Sequence, residues 1–257
     1  MASVIYQVAV GDERPLYETC IASVERYCAR YGIQHIIQRE PVLCITPVQN
    51  HRSDGALRLG YLPIFEKENA LSLLTDYDAV LILDSDIYIR PDAPNIFDLP
   101  VTAPFAGVIE RDMPLLPRHQ AKMRKYSEAQ YGPLRGEADF LWNERGAAFF
   151  NMGMMLLRAS IQPWLGSDTP LEFVRRPEFE RFVNGEGAWR WSTDQTLLNF
   201  WLRHSKIPVQ CLDYRWNALY GAVDPASMPS AYFLHFFLAD HHVGDRDIQH
   251  ILKELGV

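Results

Sequence analysis

An α/β fold, with a mainly parallel sheet flanked by helices, is what the sequence predicts, and three observations carry that prediction. A short run of branched apolar residues at positions 79–83 ends in Asp84-Ser85-Asp86. Ahead of it, strand-like and helix-like segments alternate, a pattern that implies right-handed crossovers and parallel strands. The chain has 257 residues, 48% hydrophobic and 22% charged, which suits a single domain spanning 1–257.

Each element follows in order. Residues 4–10 read as the first strand. Residues 13–31 place Leu16, Cys20, Val24, Tyr27, Cys28 and Tyr31 on one helical stripe, with Gly32 as the C-cap. Residues 33–38 form a second strand, residues 39–55 a loop, and residues 57–75 a second helix despite Pro63. Residues 79–83 are apolar throughout, as expected of a strand buried on both faces. The second half is less regular. Residues 111–145 are polar and interrupted by Pro114, Pro117 and Pro133. Residues 147–157 read as a strand broken at Asn151 and Gly153, residues 192–204 as a helix, and residues 209–212 and 231–238 as late strands.

Bulk properties narrow the function. A net charge of −7 argues against nucleic-acid binding through phosphate neutralisation. The N-terminal apolar stretch is too short for a signal peptide, and no run approaches the roughly 20 apolar residues of a membrane span. Peripheral membrane contact stays open, as does the oligomeric state. Cys20, Cys28, Cys44 and Cys211 lack metal-like spacing; Cys20, Val24 and Cys28 share a helical face, and buried free thiols fit a reducing cytoplasm.

The chemistry centres on Asp84 and Asp86. A buried strand does not tolerate unpaired carboxylates, so its C-terminal end is expected to face a cleft, where ligands of open α/β sheets bind. Two close carboxylates repel unless a cation lies between them, and a hard divalent metal is the natural partner. Alternate strand residues point to opposite faces, so both reach one cation if the backbone turns at Ser85. Asn151, an amide inside an apolar strand, needs partners, either within a β-bulge or from a substrate hydroxyl, and Gly153 marks a close approach. Ser192 with Gln195 reads as a capping box, with Asp194 suited to the helix dipole, a rigid platform for polar contacts. His235, in an apolar run, is a satisfied core residue or a metal ligand. Lys67, seventeen residues before Asp84, is solvated, paired with Glu66 or Asp78, or part of the site. The cations from Arg111 to Lys125 form a solvated face, a lid over an anionic donor, or a patch for a phosphate-bearing acceptor. Trp142, Trp189, Trp191 and Trp216 offer faces for sugars or pack internally.

Taken together, ILDSDIYI, FFNMGMMLL, STDQTLLN, the preceding Lys67 and the late histidine make the chain resemble nucleotide-sugar glycosyltransferases of the GT-A fold, a Rossmann-like α/β architecture with a mixed, mainly parallel sheet, most similar to the retaining enzymes of family 8. The resemblance implies a nucleotide-binding half (1–100) and a sugar- and acceptor-binding half (101–257). It implies donor contacts on Ala9, Val10 and Asp12, and a metal, Mn²⁺ or Mg²⁺, on Asp84, Asp86 and His235. Lys67, Asn151, Asp194 and Gln195 would surround the transferred sugar of a donor such as a UDP-sugar, with a carbohydrate acceptor. The family's late His-x-x-Gly-x-x-Lys-Pro-Trp motif departs here, with Leu238 for the glycine and His241 for the phosphate-binding lysine. Golgi members carry a membrane anchor, so the resemblance also implies a cytoplasmic protein of bacterial or viral origin. Three other readings share part of the pattern. A haloacid-dehalogenase-type phosphatase shares Asp-x-Asp, but its motif wants Thr or Val where this chain has Tyr88, and normally sits on the first strand. Nucleotidylyltransferases need a glycine-rich loop that GDERPLY does not supply. A sugar- or donor-binding module without turnover would keep the same pocket.

Overall fold

A computed structural model describes residues 2–11, 14–238, 243 and 247–257. A six-stranded sheet, in the order β2-β1-β3-β6-β5-β7, forms the centre. Its strands are β1 (Ser3–Val8), β2 (Gln34–Gln38), β3 (Ala79–Asp84), β5 (Phe105–Ile109), β6 (Phe150–Arg158) and β7 (Val209–Cys211). β6 runs antiparallel to both neighbours, β3 and β5, while β1–β2, β1–β3 and β5–β7 are parallel. A small second sheet pairs β4 (Ile87–Ile89) with β9 (Phe233–His235) and β8 (Ala218–Leu219).

The central strands are buried on both faces because alternate residues enter different cores. Val80 and Ile82 of β3 join one hydrophobic cluster; Ala79, Leu81 and Leu83 join the other. Burying each such side chain contributes about 1.5–3 kcal/mol, which is why an apolar run without polar alternation folds here as a strand.

Helix α1 (Pro15–Tyr31) starts with Pro at its first turn and ends at Gly32, whose φ of 64° is left-handed, as the sequence predicts. It buries Leu16, Cys20, Val24, Tyr27 and Cys28. The predicted helix at 57–75 begins later and winds differently: a 3₁₀ segment spans Pro63–Thr75. Residues before it form successive turns, and Gly60 at φ 81° cannot continue a right-handed helix. Glu66, inside that segment, accepts from Gln38 Nε2 and from the backbone N–H groups of Val42, Leu43 and Cys44, fastening the loop of residues 39–55 to the core.

The 111–145 segment is more regular than its prolines suggest. Pro117 occupies the first turn of α2 (Pro117–Tyr131), where a missing N–H costs nothing, and Ser127, Gln130 and Tyr131 are buried beneath an exposed face bearing Arg118, Lys122, Arg124 and Lys125. Short helices α3 (Gln162–Leu165), α4 (Pro170–Val174) and α5 (Glu180–Asn184) lead to α6 (Asp194–His204), and α7 (Ile248–Glu254) lies near the C-terminus. All four cysteines are free, Cys20 and Cys28 buried but Cys44 and Cys211 exposed. Among the described residues no helix is long and apolar enough to cross a membrane.

Glu68 is a carboxylate in the wrong solvent. It faces Leu71, Ile82, Phe105 and Trp201, and neither carboxylate oxygen has a hydrogen-bond partner among the described residues. Burial pushes its pKa well above the usual carboxylate value. Between the ordinary Glu pKa and this raised one, the unfolded chain has lost the proton and the folded chain keeps it, so stability falls as pH rises. Glu68→Leu is expected to remove that slope and to stabilise the protein by about 1–3 kcal/mol at pH 8, less at pH 5. Urea unfolding at the two pH values checks this; equal effects at both would refute the assignment.

Candidate active site

The backbone leaves the central sheet where the sequence predicts. β3 ends at Asp84, and a turn at Ser85 and Asp86 delivers the chain to β4 in the second sheet. β4 pairs antiparallel with β9, placing His235 opposite Ile87, while Phe236 N–H donates to Asp86 O (2.9 Å). The two sheets thus meet at a corner that brings Asp84, Asp86 and His235 together. One ligand atom from each lies within 4.8 Å of the others. His235 Nε2 is 3.3 Å from Asp86 Oδ1 and 3.9 Å from Asp84 Oδ2.

The three groups at this corner are electrostatically coupled. Burial pulls the His235 pKa down, but Asp86 and then Asp84 outweigh it and hold the ring above its ordinary value. Burial pulls Asp86 up, and the facing imidazolium outweighs it and holds the carboxyl below its ordinary value. Among the described residues, Asp86 Oδ1 is buried without a hydrogen-bond partner. Two carboxylates and one imidazole, with an orphaned oxygen among them, match the donor set of a divalent ion such as Mn²⁺ or Mg²⁺.

Gly153 makes room for the ring. A Cβ there would lie 2.2 Å from His235 Cε1 and 2.8 Å from Nδ1. The broken strand has a structural basis at the same place. Phe150 and Met152 face one core, but Met154 and Leu156 face the other, so the alternation of β6 slips at Gly153. Pairing with β5 lapses between Met155 and Phe150. Released from β5, the Met152 peptide bonds to side chains: its carbonyl accepts from Lys67 and its N–H donates to Gln195 Oε1 (3.2 Å).

Lys67 forms the opposite wall. Its Nζ donates to Asp84 Oδ1 and Met152 O and forms an ion pair with Asp194 Oδ2, each at 2.8 Å. It does not pair with Glu66, which is taken by backbone amides, or with Asp78, which accepts from Ala2 N–H. Burial alone would lower the Lys67 pKa, but Asp194 and Asp84 outweigh it and hold it above the ordinary lysine value. Asp194, buried, is raised by desolvation despite Lys67.

The capping box at Ser192 does not form. Thr193, in extended conformation, is the N-cap, and its hydroxyl accepts from Gln195 N–H (3.2 Å). Ser192 is buried with its carbonyl accepting from Arg52. Of the four tryptophans offered for sugar stacking, Trp216 is buried in the core, Trp142 and Trp189 are partly buried, and Trp191 is exposed.

Ala9, Val10, Lys67, Asp84, Asp86, Asn151, Asp194, Gln195 and His235 line one open cleft of about 540 Å³. Asp12 and His241 lie outside the described residues. Glu110, Tyr126 and Asn217 were missed in the sequence. Glu110 and Tyr126 line the cleft, and Asn217 Oδ1 lies 2.9 Å from His235 Nδ1. Glu110 ends the apolar run FAGVI just as Asp84 ends its own, a signal of the same kind. Tyr126, whose pKa burial pushes up to about 12, accepts from Gln195 Nε2 (3.4 Å).

No family model and no curated protein matches the sequence. Solved structures do match it. The galactosyltransferase LgtC, solved in complex with donor and acceptor sugar analogs, has a TM-score of 0.54 over 98% of this chain and 94% of its own, at 13% identity. Mouse xyloside xylosyltransferase 1 has a TM-score of 0.51 over 93% of this chain and 99% of its own, at 14% identity. This chain has the GT-A fold. WbbM, a bifunctional glycosyltransferase, also matches at a TM-score of 0.54 and 13% identity; this chain spans 46% of its length. In GT-A terms, the Asp84–Asp86–His235 corner lies at the C-terminal end of β3, and β1, β6, α2, α6 and the 3₁₀ segment contribute to the rest of the cleft.

Proposed function

We propose that this chain is a glycosyltransferase that moves a hexose from a nucleoside-diphosphate sugar, a UDP-sugar, to a hydroxyl of a carbohydrate acceptor, with retention at the anomeric carbon. The observation that carries the reading is the Asp84–Asp86–His235 corner opening into the same cleft as Lys67, Asn151, Asp194 and Gln195. The cleft volume suits a nucleotide sugar. A divalent cation held by Asp84, Asp86 and His235 would supply Lewis-acid neutralisation of the leaving diphosphate.

The protein groups have distinct tasks. Lys67 holds Asp84 and Asp194 in fixed positions and adds positive charge near the diphosphate. Asn151 and Asp194 bind the sugar's hydroxyls. Gln195 Oε1 accepts one backbone N–H and keeps a second lone pair, which faces the positive charge that develops at the anomeric carbon. Ala9 and Val10 contact the base and ribose. The bond from the anomeric carbon to the phosphate oxygen breaks, a bond to the acceptor oxygen forms on the same face, and the acceptor's proton passes to the leaving diphosphate.

The test is release of UDP from UDP-hexoses by the pure protein with and without Mn²⁺. Turnover is expected to require the ion and to fall by at least ~100-fold in Asp86→Ala. Undiminished turnover of Asp86→Ala in the presence of EDTA would overturn the cation assignment. No turnover, with a nucleotide sugar still raising the melting temperature, would favour a binding module instead.

A further inference from the structure

We infer that Glu110 is a positioning residue that sets the tautomer of His235 through Asn151 and Asn217, turning the Nε2 lone pair toward Asp84 and Asp86. The inference rests on the cation corner proposed above and adds what orients its imidazole.

Four buried side chains form one continuous chain of hydrogen bonds. Asn151 Nδ2 donates to Glu110 Oε2 (3.2 Å). Asn151 Oδ1 accepts from Asn217 Nδ2 (2.9 Å) and from Gly153 N–H (3.1 Å). Asn217 Oδ1 meets His235 Nδ1 at 2.9 Å. Glu110, Asn151, Asn217 and His235 are exposed by 3%, 7%, 0% and 4%, so solvent cannot replace a partner that turns the wrong way.

The polarity of each link follows from the ends. Asn151 Nδ2 is the atom that donates to Glu110, so the NH₂ of the amide faces that side chain. A backbone N–H only donates, so Gly153 requires the Asn151 oxygen on the other side. These two anchors fix the Asn151 amide. Its oxygen then demands the NH₂ of Asn217, which leaves the Asn217 oxygen facing His235. An oxygen there is matched by Nδ1–H. In the neutral ring the lone pair is then on Nε2, which faces the two carboxylates. Reversing any amide would set like groups against each other in a dry site and leave both unsatisfied. Metal-ligating histidines are commonly oriented through their other nitrogen. Here the orienting signal begins at a carboxylate on a different strand end, 125 positions away in the chain. His119 lies beyond it, Nε2 3.7 Å from Glu110 Oε1.

The test compares Glu110→Gln with Glu110→Leu. Nitrogen-15 NMR of histidine-labelled, metal-free protein, above the imidazole titration, reads the tautomer directly. Wild type is expected to carry the proton on Nδ1, and Glu110→Leu to show a mixture. Mn²⁺ binding, followed by electron paramagnetic resonance without donor, should weaken about 10–100-fold in Glu110→Leu. Glu110→Gln, whose carbonyl oxygen can still accept from Asn151, should retain both properties. If Glu110→Leu fails to fold, Glu110→Ala serves and should show the same mixture. An unchanged tautomer in the Leu or Ala variant overturns the inference. So would equal impairment of the Gln and Leu variants. Absence of Mn²⁺ binding by the wild type would overturn the cation site itself, while the tautomer would still be decided by NMR.

Discussion

Lys67→Met is expected to destabilise the protein by about 3–5 kcal/mol at neutral pH, because it strands two carboxylates that share one buried ammonium. Asp194 carries most of the effect. It is buried, whereas Asp84 is partly exposed. Its pKa is already above the ordinary value because burial outweighs Lys67, and without the ammonium it rises further. A carboxylate whose folded pKa is raised contributes most at low pH and loses that contribution as pH climbs through the folded value. The deficit should therefore be smallest near the ordinary Asp pKa and grow toward neutrality. In the wild type, the raised pKa of Lys67 keeps the ammonium charged throughout this range. Urea unfolding of both proteins across acid and neutral pH checks the slope. A deficit that is the same at every pH would show that lost packing, not the stranded carboxylates, dominates.

Gly153→Ala should have the largest effect on the cation corner. The added methyl would sit 2.2 Å from His235 Cε1, inside any allowed contact, and also 3.1 Å from Asn151 Oδ1. His235 is buried and hydrogen-bonded to Asn217, so the ring cannot yield without breaking that bond. Overpacking of this kind costs about 1–3 kcal/mol, and displacement of the ring should weaken Mn²⁺ binding by about 100-fold or more. A double-mutant cycle gives the discriminating result. In a His235→Ala background, Gly153→Ala should cost little stability, because the atoms it strikes are gone. Equal cost in both backgrounds would place the clash elsewhere.

Some of this site was open to inspection in the sequence. Apolar runs interrupted by acidic residues mark strand ends facing a cleft, and that logic located Asp84 and Asp86. It applies equally to Glu110, which follows FAGVI, but the polar stretch with three prolines that comes after it reads as irregular. Those prolines misled because Pro117 starts a helix rather than ending one. Ser192 misled for a related reason. Ser192 and Thr193 both suit an N-cap, and the choice between them depends on Arg52, a residue 140 positions earlier that claims the Ser192 carbonyl. Asn217 gave no local signal, since an asparagine before a short apolar run is commonplace.

Local chemistry was enough for the alternation of strands and helices, the left-handed cap at Gly32, the carboxylate pair and the break in the strand at Asn151 and Gly153. Each depends on neighbours within a few positions: side-chain periodicity, the missing Cβ of glycine, the cost of burying a charge. Contact between distant segments was needed for the rest. Lys67 meets Asp194 rather than Glu66, His235 turns its Nε2 inward, and Glu110 ends a hydrogen-bonded chain that reaches it. The direction of a hydrogen bond, and the gap that admits an imidazole, belong to pairs of groups. Those pairs exist once the central sheet and the small sheet meet at their corner.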